Sequence, residues 1–169
     1  MTAEDNHPGA RIAQLASQAC IALWRDYEIE LTQTTFDAQH ETDEPMLFGA
    51  IGFVGEGLRA TCLHGAHQRL LHVSGRARNQ PRDWIAELSN QLVGRIKIRL
   101  LGCGVNVNLT TPLALSGIRL KPLPRPTSEP LAFQSPAGPV IVCLELETEP
   151  GFALPEEHPL DVTPGELLF

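Results

Sequence analysis

The segment from Arg82 to Leu101 constrains the fold most, because its apolar residues recur with the period of an α-helix. On a wheel of about 3.6 residues per turn they form one stripe along the helix, made of Ile85, Leu88, Leu92, Ile96 and Leu100. The sequence GCG at 102–104 then supplies a glycine stop signal. A long helix with one apolar stripe must bury that stripe, so the rest of the chain has to provide a core for it.

The opposite face of this helix is polar and has an unusual composition. Asp83, Glu87, Asn90 and Gly94 fall within a sector of roughly 60° on the side that should face water. Asp and Glu suit an exposed helix, whereas Asn and Gly weaken one relative to Ala, Lys or Glu. The face therefore presents three polar groups and one low position, at which another backbone can come close.

The segments that flank this helix predict a mixed fold. Residues 8–27 carry apolar residues at helical spacing, and EIELTQTTF after them alternates as a strand does. Residues 46–63, MLFGAIGFVGEGLRATCL, predict two strands around the turn GEG, and residues 64–75 a short helix or turn. VNVNLTT and PLALSGIRLKPL are strand-like, LAFQS and VIVCLELE predict a closing hairpin, and AQHETDEPM and PRPTSEP predict loops. This order predicts a single α+β domain over residues 8–147, with an antiparallel-rich sheet and long helices packed on it.

The composition of the chain limits the kinds of partner that it can bind. The chain has 169 residues, a net charge of -7 and a pI of about 5.3, which argues against nucleic acid and against an anionic membrane surface. No apolar run approaches the roughly 20 residues that span a bilayer, and the acidic start MTAEDNHPGARIAQ has no apolar signal core. A cytoplasmic location is therefore expected. Residues 148–169, with four prolines and scattered acids, predict an acidic, Pro-rich tail that is extended or disordered.

The helix and the strand after it carry a family likeness. DWIAELSNQLVG followed by NVNLTTPLALSG resembles the CheC/CheX family of chemotaxis phosphatases, whose motif is Asp or Ser, three residues, Glu, two residues and Asn, with a Pro farther on. Asp83, Glu87 and Asn90 match this motif in type and spacing, and Pro112 follows after 21 residues, one fewer than is usual. GAIGFVGEGLRATCL resembles the paired strands of the family and GPVIVCLELE its final strand. The resemblance covers about residues 10–147.

The chain also departs from the family pattern. Members often have Asn after the glycine, where this chain has Arg95 after Gly94, and LHGAHQRLLHVSGRARNQP is a poor version of the helix that precedes the motif helix. The Pro-rich tail has no counterpart in the family pattern. One Glu/Asn pair is present, as in CheX-like members, rather than the two of CheC-like members.

The resemblance implies a phosphatase that hydrolyses the aspartyl phosphate on a response-regulator receiver domain, in chemotaxis or two-component signalling. Asn90 would hold the attacking water, because an amide both donates and accepts hydrogen bonds and stays neutral beside phosphate. Glu87 would pair with the active-site Lys of the receiver, Asp83 would make a rim contact, and Gly94 would permit close approach. The receiver would bring Mg²⁺, and the chain would need no cofactor of its own. Relatives are often homodimers, so VIVCLELE or another strand is a candidate for a contact at a sheet edge.

Other kinds of site have weaker support. His64, His67 and His72 are close in sequence, and the first two would share a turn if this segment were helical, but Asp and Glu are scarce around them for a metal site. GFVGEGL lacks the Lys-Ser/Thr of a P-loop. The cysteines never form C-x-x-C and suit small core positions: Cys20, Cys62, Cys103 and Cys143.

Three alternatives to catalysis stay open at this point. The polar side of the helix is also compatible with an ordinary solvated surface. A second possibility is a module that keeps the fold and binds a receiver or another signalling protein without catalysis. In a third, the domain is a scaffold whose work is done by the acidic tail.

Overall fold

The computed structural model describes residues 7–37, 44–74, 80–120 and 130–158. Within these ranges the chain forms helices α1 (Pro8–Arg25), α2 (Gln68–Val73) and α3 (Pro81–Gly102), and strands β1 (Thr32–Thr34), β2 (Pro45–Gly55), β3 (Leu58–His67), β4 (Val107–Leu109), β5 (Leu113–Ile118), β6 (Leu131–Ser135) and β7 (Gly138–Thr148). The helix predicted from Arg82 to Leu101 and both hairpins are confirmed. The loops predicted at 38–46 and 124–130 fall mostly outside the described residues.

All the described strands join one antiparallel sheet. Its order is β1-β6-β7-β3-β2, and β4 and β5 both pair with the outer edge of β2. The long strands β2, β3 and β7 occupy the centre of the sheet, and β3 alternates buried and exposed residues over its first half, as a strand with one covered face does. The prediction of an α+β domain with an antiparallel-rich sheet is confirmed.

Helices α1 and α3 cover one face of this sheet. Their apolar stripes and the facing residues of β2, β3, β6 and β7 form one core, which includes Trp24, Ile85, Phe53, Phe133 and Val142. Pro81 occupies the first turn of α3, where its missing N–H leaves no hydrogen bond unmade. The sheet and α1 together hold α3 along its whole apolar stripe.

Two local predictions were wrong. Residues 64–67 continue β3 instead of starting a helix, because His64 and Ala66 take inward positions of the strand and are fully buried. EIELTQTTF contributes only Thr32–Thr34, a short strand that pairs with β6 alone among the described strands. The sheet-edge contact expected of VIVCLELE stays a prediction, because β3 pairs along one side of β7 but β6 pairs along the other side only as far as Val142.

The chain after β7 runs back over the helices. Arg11 of α1 donates hydrogen bonds to the carbonyl oxygens of Leu154 and Pro155, and Arg99 of α3 forms an ion pair with Glu157. Leu154 is buried in the core. Residues 149–158 of the predicted tail therefore turn at Pro150 and Gly151 and pack on the domain. Residues 159–169 lie outside the described part, and the division of the chain at residue 148 stays a prediction.

Candidate active site

The outer face of α3 carries the four residues that the sequence singled out. Asp83, Glu87 and Asn90 are exposed, and Gly94 is half-buried. A methyl group added at Gly94 would meet no atom within 4 Å, so the helix surface is low and open there. The structure brings the four residues to one face, and their roles stay predictions.

The inner face of α3 lies directly on the sheet. A methyl group added at Gly49 of β2 would come within 2.1 Å of the Ser89 hydroxyl oxygen and 3.0 Å of the Ile85 carbonyl oxygen. Only a glycine at that position allows the helix to come this close. Asn90 follows Ser89 in sequence, so the contact that fixes Ser89 also fixes the backbone from which Asn90 projects.

A buried histidine supports the helix from below. His64 of β3 has no exposed surface, its Nδ1 lies 3.4 Å from the Ser89 hydroxyl oxygen, and its ring makes an edge contact with Trp24 at 5.9 Å between centroids. Burial lowers the pKa of His64 to about 4, because the charged imidazolium would lose its hydration. His64 is therefore neutral near pH 7 and belongs to the support of α3, apart from the exposed face.

Side-chain contacts beside the exposed face join α3 to the end of α1. The side chain of Gln91 donates a hydrogen bond to Glu87 at 2.9 Å, and the Tyr27 hydroxyl donates one to the Gln91 carbonyl oxygen at 3.1 Å. Arg95 forms an ion pair with Asp26. None of these contacts was predicted. The spacing of four residues between Glu87 and Gln91 was a usable signal, whereas nothing in the sequence points from Tyr27 or Asp26 to α3.

Pro112, the last residue of the matched motif, lies where the edge of the sheet is interrupted. It separates β4 from β5, and both strands pair with β2. Thr110 bridges the interruption, since its N–H donates to the Gly52 carbonyl oxygen at 2.8 Å and its hydroxyl accepts from the Gly52 N–H at 2.9 Å. Proline suits such a position because it has no N–H to contribute to the pairing.

The structure also bears on the other sites considered. Among the described residues, no group of three or more His, Cys, Asp or Glu side chains is arranged to hold a metal ion. His64 and His67 lie on β3 and do not share a helical turn. The four cysteines are free and buried, as predicted, and burial raises the pKa of the Cys62 thiol to about 12. In the part of the chain that the structure describes, no helix has both the length and the apolar character needed to cross a bilayer.

Known proteins match this chain in structure but not in sequence. No protein-family model matches the sequence, and no curated protein matches it. The structure, however, is similar to chemotaxis protein CheX from Vibrio vulnificus, with a TM-score of 0.69, 18% identity, and coverage of 82% of this chain and all of that one. The chain has a CheX-like fold. A CheC-like superfamily protein from Shewanella sp. PV-4 gives a TM-score of 0.66 at 18% identity, over 79% of this chain and 97% of the other.

A third structure with the CheX-like fold contains a partner. It is the CheX–CheY–BeF₃–Mg²⁺ complex from Borrelia burgdorferi, with a TM-score of 0.59, 14% identity, and coverage of 80% of this chain and 97% of that one. The TM-scores show that the three structures share their fold with this chain, and identities of 14–18% show nothing beyond the fold. Any activity of this chain has to be argued from its own residues.

Proposed function

We propose that this chain hydrolyses the aspartyl phosphate on a response-regulator receiver domain, in chemotaxis or another two-component pathway. The observation that carries the proposal is the pair Glu87 and Asn90, exposed about one turn apart on a helix whose inner face is fixed against Gly49. The CheX-like fold supports it, because one structure with this fold is a complex of CheX with CheY, BeF₃ and Mg²⁺.

The chemistry requires little from this chain besides positioning. An aspartyl phosphate is an activated acyl phosphate, so the main need is a water held in line with the P–O bond that breaks. The Asn90 amide can accept a hydrogen bond from that water and donate one to an oxygen of the reacting group. As the water oxygen attacks phosphorus, the aspartyl carboxylate leaves with the electron pair of the broken bond and inorganic phosphate is released. No covalent intermediate forms on this chain.

The neighbouring residues of the face would hold the receiver. Glu87 pairs with the ammonium group of the receiver's active-site Lys, which aligns Asn90 with the phosphoryl group. Asp83 makes a contact at the rim, and Gly94 lets the receiver backbone approach the helix. Mg²⁺ bound by the receiver would neutralise charge on the phosphoryl oxygens.

The test is the loss of phosphate from a labelled receiver encoded in the same genome, with and without this protein. We expect the wild-type chain to accelerate the loss, and Asn90→Ala to reduce that acceleration roughly 100-fold, as misplacement of a reacting group does. Asn108→Ala is the matched control, because Asn108 is also exposed but lies on β4 between the inward-facing Val107 and Leu109. Equal loss of activity in both variants, or full activity in Asn90→Ala, would contradict the mechanism.

A second candidate function is receiver binding without catalysis. Arg95, next to Gly94, is engaged by Asp26 and is only 35% exposed, so a bulky ion pair stands beside the proposed docking face. If it keeps the receiver slightly too far away, the chain binds the receiver but does not position the water. Pull-down of a receiver with no faster loss of phosphate would select this function.

The edge of the sheet beside α3 offers a surface for a second copy of the chain. We also propose a homodimer through β5, which pairs with β2 on one side and with no described strand on the other. Leu113, Leu115 and Ile118 on this strand are 59%, 44% and 61% exposed, and an apolar strand edge favours pairing with another chain. Light scattering should give a dimer for the wild type and a monomer for Leu113→Lys/Leu115→Lys. A monomeric wild type would refute this part.

A further inference from the structure

The end of α1 is joined to the active face through a glutamine that the proposed chemistry does not use. The Tyr27 hydroxyl donates to the carbonyl oxygen of Gln91, and the amide nitrogen of Gln91 donates to Oε1 of Glu87, at 3.1 and 2.9 Å. Each group of the Gln91 amide therefore has the partner that suits it. The opposite orientation of the amide would place its carbonyl oxygen against the Glu87 carboxylate, so the hydroxyl and the carboxylate together fix the side chain.

Tyr27 is itself held by the turn that ends α1. Glu28 adopts a positive φ of 61°, and the N–H of Ile29 donates to the Trp24 carbonyl oxygen at 3.0 Å, which closes the turn. The Tyr27 ring packs on Trp24, with 6.3 Å between ring centroids. Trp24 has no exposed surface. The hydroxyl that orients Gln91 thus projects from a part of the molecule anchored in the core.

A second contact keeps the two helices in register at this place. Arg95, one turn beyond Gln91 on α3, forms an ion pair with Asp26, the residue before Tyr27. Two adjacent residues of the α1 turn therefore contact two residues spaced by four on α3. This arrangement limits the freedom of Gln91 relative to Tyr27 in a way that a single surface hydrogen bond would not.

We infer that Gln91, oriented by Tyr27, is a positioning residue that holds the Glu87 carboxylate ready for the ammonium group of the receiver. This inference rests on the proposed function of Glu87. Oε1 of Glu87 accepts the hydrogen bond of the Gln91 amide, and the other carboxylate oxygen would accept from the ammonium group of the receiver. A free Glu side chain loses substantial rotamer entropy when it is fixed. Gln91 fixes the Glu87 side chain before the receiver binds, so less rotamer entropy is lost on binding. Its effect therefore falls on KM for the phosphorylated receiver, while kcat depends on Asn90.

The first test uses kinetics in a double-mutant cycle. We expect Gln91→Met and Tyr27→Phe each to raise KM about three- to tenfold, with kcat changed less than about twofold. In a Glu87→Ala background, neither substitution should change KM further. A merely structural role would add its effect in both backgrounds, so equal effects with and without Glu87 would overturn the inference.

The second test does not depend on phosphatase activity. The side-chain amide of Gln91 should have a high NMR order parameter in the isolated protein, unlike that of Gln18, which is exposed on α1. Tyr27→Phe should make the Gln91 amide mobile and leave Gln18 unchanged. A Gln91 amide as mobile as that of Gln18 in the wild type would refute the positioning role. An ordered amide that loosens in Tyr27→Phe would support it, even if the wild-type chain accelerates no phosphate loss and the proposed function fails.

Discussion

The inner and outer faces of α3 differ in how closely they are packed. On the inner face, Gly49 of β2 brings the sheet so close to Ser89 and Ile85 that there is no room for one more methyl group. On the outer face, Gly94 has open space around it and Asn90 is exposed. The inner face is packed without spare volume, whereas the outer face has open space and carries two residues, Asn90 and Gly94, that lower the helix propensity.

This difference shows which features of α3 the fold explains. Close packing against β2 accounts for the small residues and the apolar stripe on the inner side. Neither Asn90 nor Gly94 stabilises an exposed helix, and Ala at either position would favour it. Binding of a receiver to the outer face, as proposed above, would account for both residues, and the following predictions test the two faces separately.

The largest expected effect on stability concerns the inner face at low pH. The unfolded chain binds a proton on His64 with an ordinary pKa near 6.5, whereas burial lowers the folded pKa to about 4. The free energy of unfolding should therefore be intact above pH 6.5 and fall as the pH drops from 6.5 to 4, by on the order of 3 kcal/mol. Denaturant unfolding across this range measures the loss.

The control for this prediction is a variant that cannot take up the proton. His64→Leu should lack this share of the pH dependence, whatever its stability at pH 7. An identical pH dependence in wild type and His64→Leu would show that the proton uptake occurs elsewhere.

Filling the close contact between α3 and β2 should have the next largest effect. Gly49→Ala pushes a methyl group against Ser89 and the Ile85 carbonyl oxygen, so we expect a loss of about 2 kcal/mol in the free energy of unfolding. Gly52→Ala on the same strand is the control, because its nearest atom, on Thr110, lies 3.2 Å from the added carbon. Chemical denaturation of the two variants gives the comparison, and equal losses would mean that the contact with α3 is not special.

The smallest expected effect is that of Gly94→Ala, which should stabilise the fold and weaken the function. Gly94→Ala adds a methyl group in open space within a helix, so it should stabilise the protein by roughly 0.5–1 kcal/mol. If the receiver backbone approaches α3 at this position, the same variant should raise KM for the phosphorylated receiver. Thermal unfolding and phosphatase kinetics on one sample test both parts. A variant that is more stable and fully active would show that Gly94 does not contact the partner.

The long elements could be predicted from sequence because their signals are local. The period of the apolar residues located α3 to within one residue at each end, and the glycines of GEG marked the β2–β3 turn. The failures came where neighbours decide the structure. Residues 64–67 stay in the sheet because β7 and β2 pair along both sides of β3 there, which a sequence pattern does not report.

The same distinction holds for the candidate site. The common face of Asp83, Glu87, Asn90 and Gly94 follows from helix geometry alone, and the Gln91 contact was within reach of the same reasoning. Tyr27 was not, because it is 64 residues away from Gln91 in sequence and meets it only where α1 packs beside α3. Contacts of this kind depend on how two helices pack against each other, and no short sequence pattern predicts that packing.

The most direct test of the outer face is the rate of phosphate loss at saturating concentrations of this protein, compared for wild type, Asn90→Ala and Glu87→Ala. We expect Asn90→Ala to bind the phosphorylated receiver but to leave it losing phosphate near its own unassisted rate. Glu87→Ala should require a higher concentration to saturate and then regain part of the wild-type rate. An Asn90→Ala variant as fast as wild type, or a folded wild-type chain that accelerates no receiver tested, would contradict the claim that the exposed face of α3 is a catalytic surface.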